Sequence, residues 1–158
     1  GQETTAEVSD IVEIGKVVAY ENASDIGTAS PTLGGNGEIE AINASLRLAA
    51  GSDAVNLSKA SYTLATNSNA SVVNGNNRTN SDVVSYYPIQ GFDETNTVVL
   101  SKTDQLMVAR LNISNVEGIE PLSEGSDLTI VIQAPAGGTT YKEVQAPKQI
   151  KDERSYIL

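Results

Sequence analysis

The chain has 158 residues, enough for one domain that buries roughly 70% of the surface its unfolded form exposes. Hydrophobic residues make up 39% and aromatics only 4%, so a core has to come from Val, Ile, Leu and Ala. Twenty acidic against ten basic residues leave a net charge of −10, which makes nucleic acid and anionic membrane poor partners, and the lack of Cys and His excludes a disulfide framework, a thiolate nucleophile and histidine catalysis.

Residues 1–12 differ from the rest of the chain. Thr4 and Glu7 have capping-box spacing, and Val8, Ile11 and Val12 fall on one helical face, so the segment reads as the tail of a helix. Residues 13–158 read as a β-domain. Ile14, Val17, Val18 and Tyr20 predict a strand over 13–20, and a loop with Gly and Pro breakers spans 22–37. Alternation predicts a second strand over 38–49 and a third over 57–66, where Ala60, Tyr62 and Leu64 take every second position. Residues 67–81 are rich in Asn and Ser and predict a mobile surface loop. Three further strands are predicted at 83–89, 97–101 and 106–113.

The clearest element is a hairpin over 124–147. Leu128, Ile130 and Ile132 recur with period two, although Val131 breaks a clean alternation. Pro135 and Gly137-Gly138 turn the chain, and Tyr141, Glu143 and Gln145 mark a more polar return strand that stops at Pro147. The tail 150–158 is charged and ends in a candidate last strand. Eight or more short strands between turn signals predict an all-β antiparallel sandwich or jelly-roll-like barrel. No run reaches the about 18 apolar residues of a membrane span, and no Gly-rich phosphate loop follows a strand.

Without His, general acid–base chemistry would fall to carboxylates or Lys, and Asp53, Asp93, Glu94 and Asp104 all sit beside turn residues as ordinary turn formers. Nothing places a catalytic pair. Asp93, Glu94 and Asn96 form a compact set of oxygen ligands that suits a hard cation such as Ca²⁺, but the spacing lacks an EF-hand pattern and a solvated acidic turn is the simpler reading. No cofactor is required. Asn-x-Ser/Thr occurs six times, at Asn22, Asn43, Asn56, Asn69, Asn77 and Asn112, where this composition gives about two to three by chance. The excess points to an exported surface that carries N-linked glycan. Asn43, within a strand, would have to point outward to be modified.

Three stretches resemble an archaellin, the filament subunit of the archaellum. Residues 1–9 resemble the junction between that family's long apolar helix and its outer domain. Val55-Asn56-Leu57-Ser58-Lys59-Ala60 is similar to an early strand entry of the domain, and 128–147 with the terminus Ser155-Tyr156-Ile157-Leu158 is similar to its closing hairpin and tail. The leader and most of the apolar helix that define the family lie outside this sequence. The resemblance implies a β-sandwich outer domain in an extracellular motility filament, polymerising with itself or related subunits through the helix, with heavy N-glycosylation and no enzymatic activity. It also raises a metal at the Asp93 loop. An archaellum stator protein that grips the surface layer shares this layout, and an adhesive pilin-type module is a further alternative.

Overall fold

The computed structural model describes residues 11–21, 37–67, 69–75, 83–94, 96–151 and 155–158. They form an all-β antiparallel sandwich of eleven strands: β1 (Val12–Glu21), β2 (Ile39–Leu48), β3 (Val55–Asn56), β4 (Ser61–Ala65), β5 (Ala70–Asn74), β6 (Val84–Gln90), β7 (Val99–Leu100), β8 (Leu106–Asn112), β9 (Asp127–Gln133), β10 (Thr139–Gln145) and β11 (Ser155–Ile157). One sheet runs β11-β1-β2-β8-β6 and the other β10-β9-β4-β5, while β3 and β7 make a short ribbon. Both large sheets keep open edges, so among the described residues the fold is a sandwich and no barrel closes.

Period-two alternation builds the core. In β9, Leu128, Ile130 and Ile132 are buried while Asp127 and Gln133 are exposed, and Val131 stands half-buried on the opposite face. In β4, Tyr62 and Leu64 point the same way as those three. The five-stranded sheet answers with Val17, Ile42, Leu46, Met107 and Leu111, and one continuous cluster of buried apolar side chains joins the two layers. The β9–β10 turn closes through Ala134 N donating to Gly138 O at 2.8 Å, with Gly137 at φ 108°, a conformation that favours glycine. β10 lies at a sheet edge and β9 inside it, as the polarity of the two strands predicts.

Three expectations change. Val12 is already in β1, paired with Leu48 and buried, so it belongs to the sheet and not to a helical face; residues 1–10 lie outside the described residues. Within the Asn/Ser-rich stretch, 70–74 form β5, an edge strand against β4, where Val72 and Val73 are its only large apolar residues. Leu57–Lys59 forms a 3-10 turn ahead of β4, not the start of the strand.

A polar junction fastens the layers at one end. Tyr86 of β6 places its hydroxyl 2.9 Å from Leu57 O, 3.1 Å from Gly75 O and 2.9 Å from the Tyr62 hydroxyl of β4. Its single proton serves one carbonyl while it accepts from Tyr62. Gly75 is fixed by crowding: a Cβ there would lie 2.8 Å from both Ala60 O and the Tyr86 hydroxyl. Burial pushes the Tyr62 and Tyr86 phenols above their ordinary value, and at Tyr86 the adjoining Tyr62 adds to the rise.

The unfolded phenols ionise near pH 10, whereas the folded ones keep their protons at higher pH. The folded state therefore binds more protons above about pH 10, and stability falls as pH rises past that point. Tyr86→Phe should cost about 1–3 kcal/mol at neutral pH, because a buried carbonyl loses its donor, and should flatten the alkaline decline. Urea midpoints from pH 7 to 11 check both effects; a neutral-pH midpoint unchanged in the variant would show that the junction contributes nothing.

Candidate assembly and modification surfaces

The six asparagines of the acceptor sequences do not share one environment. Asn22 and Asn77 lie outside the described residues. Asn69 is exposed in the β4–β5 turn, where its carbonyl accepts from Thr66 N at 2.7 Å, and Ser71 Oγ donates to Glu117 O at 2.8 Å. Asn56, half-buried at the end of β3, accepts from Ser58 N at 3.0 Å and from Ser58 Oγ at 2.6 Å. Asn43 does project away from the core, from the outer face of the five-stranded sheet, yet it is only 7% exposed, and Asn112 on the same face is 2% exposed. A glycan on either would have to displace what covers it.

What holds Asn43 is a buried arginine that strand periodicity alone does not single out. Arg110, opposite Asn43 across the β2–β8 pair, is fully buried and donates from Nε to Asn43 Oδ1. Asn43 Nδ2 in turn donates to the Tyr20 hydroxyl at 3.4 Å. The guanidinium carbon lies 5.4 Å from the Tyr20 ring centre and 5.7 Å from that of Tyr87, within cation–π range of both. Glu21, next to Tyr20 in sequence, is also buried, and its Oε2 accepts from Gly37 N at 2.7 Å. A signal is present in the sequence: in β8, Met107, Ala109, Leu111 alternate with Val108, Arg110, Asn112, so a cation in a strand buried on both faces needs planar and hydrogen-bonding company.

Asp93, Glu94 and Asn96 are all exposed, and the two carboxylates line a pocket of about 340 Å³ with Phe92, Ser101 and Lys102. Gln105 braces its wall by accepting from Ser101 N at 2.8 Å and Lys102 N at 3.0 Å. Among the described residues no three acidic side chains converge on a point. Asp53 and Asp104 are exposed as well. The pocket thus offers a cation two carboxylates beside an ammonium, and Asn96 is not among its lining residues.

No protein-family model matches the chain, and no curated protein matches it. Solved structures do. A crystal structure of archaeal flagellin FlaB1 from Methanocaldococcus jannaschii aligns with a TM-score of 0.64 at 16% identity, over 92% of this chain and 98% of that one. The archaeal flagellum of Methanospirillum hungatei aligns at 0.56 and 10% identity, over 92% of this chain and 71% of the other. The archaellum stator complex of FlaF and FlaG from Sulfolobus acidocaldarius aligns at 0.51 and 13% identity, over 91% and 98%.

Replacing Arg110 with Lys keeps the charge but removes the planar fork and its fit between two rings. Arg110→Lys should cost about 1.5–3 kcal/mol of stability, the range for hydrogen bonds to charged groups. Chemical denaturation checks this, and a loss below the scatter of surface substitutions, about 0.5 kcal/mol, would count against the cluster. The TM-scores and the length of the matches agree on one conclusion: this chain shares its β-sandwich fold with these archaellum proteins.

Proposed function

We propose that this chain is the outer domain of a structural subunit of the archaellum filament, exposed outside the cell and performing no catalysis. The observation that carries the reading is the near end-to-end match to archaeal flagellin, with a higher TM-score than the match to the stator complex. The stator match keeps a second reading in play, in which the same sandwich would grip the surface layer instead of lining a filament. The two differ in abundance. Archaella sheared from cells of the source organism and analysed by mass spectrometry should contain this protein as a principal component. Its presence only in the cell-envelope fraction would favour the stator and sink the filament reading.

The net charge of −10 bears on both assembly and exposure. Like subunits repel through it, mostly at low salt, so the 158-residue chain alone should be monomeric or weakly paired at high concentration. In this reading the surface also carries N-linked glycan. Accessibility orders the acceptors: Asn69 is exposed and Asn56 half-buried, whereas Asn43 and Asn112 are covered. Peptide mapping of native protein should find sugar at Asn56 or Asn69 and none at Asn43 or Asn112. Glycan on the Asn43 peptide would mean that modification precedes folding and that the Arg110 cluster is rebuilt around it.

A further inference from the structure

The outer face of the four-stranded sheet is covered by no other strand among the described residues. Cross-strand registers set Tyr141, Val131, Thr63 and Val72 in one straight row across β10, β9, β4 and β5. Tyr141 and Val72 end the row at 69% and 68% exposure, and they are two of the four large hydrophobic side chains that stand in solvent among the described residues. The row on one side carries Thr139, Gln133, Ser61 and Asn74, and the row on the other carries Glu143, Thr129, Ala65 and Ala70. Asp127, diagonal to Glu143, adds the second charge at one corner, and the described residues of these rows include no Lys or Arg. None of the acceptor asparagines among the described residues stands in its rows.

We propose that this face is a lateral contact between copies of this chain. A cationic partner would select an acidic face and an anionic partner a basic one, whereas a second copy bearing −10 approaches with least repulsion where charge is sparse. The row supplies the attraction: an aromatic ring at one end and a β-branched side chain at the other, both losing water on contact. Four strands about 4.8 Å apart and four rows about 7 Å apart cover on the order of 400 Å². That is about half of the roughly 800 Å² that each partner gives up in a stable complex. The face therefore does not hold a pair together in dilute solution. It adds its increment where neighbours are already held side by side at high effective concentration. This last step rests on the filament reading.

The chain has no cysteine, so Val72→Cys places a single thiol on this face and Ile157→Cys a single control thiol on β11 of the other sheet, where Ile157 is 75% exposed. Each variant is made in the full-length protein and reacted with a maleimide, before and after assembly. Assembly should slow labelling at position 72 by roughly tenfold or more and leave position 157 within roughly twofold. Equal rates at position 72 in filament and free subunit overturn the proposal while the filament reading stands. If the full-length protein forms no filament, the filament reading fails. The face is then tested in the 158-residue chain between micromolar and millimolar concentration, where protection at position 72 alone supports it and none overturns it. Thr63→Glu gives a second arm: a carboxylate in mid-row should lower assembly most at low salt, and a variant that assembles like the parent at every salt overturns the proposal.

Discussion

With seven aromatic side chains and no cysteine, the chain joins its two sheets by one layer of aliphatic side chains, and every strand has to keep that layer in phase. A slip of one residue in β9 would send Leu128, Ile130 and Ile132 to solvent and bring Asp127 and Thr129 inward. The fold guards phase at several points. Gly137 sets the hairpin turn, so β10 meets β9 with Thr139 opposite Gln133 and stays in step for seven residues. Two register shifts in β1 take up the mismatch with β2, one between Ile14 and Val17 and one between Tyr20 and Glu21, so that Val17 and Ala19 still face the core. Alternation is thus the constraint, and bulges and turns are the means of satisfying it.

Polar groups buried around this layer supply orientation that aliphatic packing does not. The Tyr86 hydroxyl joins β6 of one sheet to the carbonyls of Leu57 and Gly75 and to Tyr62 on the other side, which fixes how the layers sit at that end. Arg110 acts on the opposite side of the five-stranded sheet. Its bond to Asn43 crosses β2 and β8, and its two tyrosine neighbours come from β1 and β6, so four of the five strands contribute to one cluster. Such groups have few acceptable arrangements, because an unmade hydrogen bond in the interior costs about 1–3 kcal/mol.

This difference explains what the sequence disclosed. Strands whose apolar residues recur with period two, such as β4 and β9, are legible because burial of one face dictates the pattern. The edge strand β5 is not: it needs only the backbone of β4 to pair with, and Ala70, Ser71 and Asn74 satisfy that as well as Val or Ile would. At Leu57–Lys59 the side-chain pattern continues while the backbone turns, because the Asn56 side chain caps Ser58 N and local hydrogen bonding wins over extension. Asn43 and Asn112 carry acceptor sequences that are real as strings of residues, but the sequence says nothing of what lies over a strand's outer face. Arg110 is visible as a residue type out of place, and only the register to Asn43, Tyr20 and Tyr87 gives it company.

Edges remain the open hazard of such a sandwich, since among the described residues β11, β6, β10 and β5 each have a neighbouring strand on one side only. β6 is blunted by Pro88, which has no N–H, and by a register shift between Pro88 and Gln90. β11 is only three residues long, and β10, the longer edge, carries Lys142 and Glu143 side by side. Each edge nevertheless bears one exposed large hydrophobic residue: Val72 on β5, Ile89 on β6, Tyr141 on β10 and Ile157 on β11. Edge-to-edge addition would extend sheets without limit, whereas contact through a face would not. The row from Tyr141 to Val72 offers such a face. It draws on two edge side chains but directs them perpendicular to the sheet, where contact buries side chains and leaves the backbone ladder closed. Association through side chains on a face is weak and reversible per contact, and the surrounding negative charge keeps it from spreading over the rest of the surface.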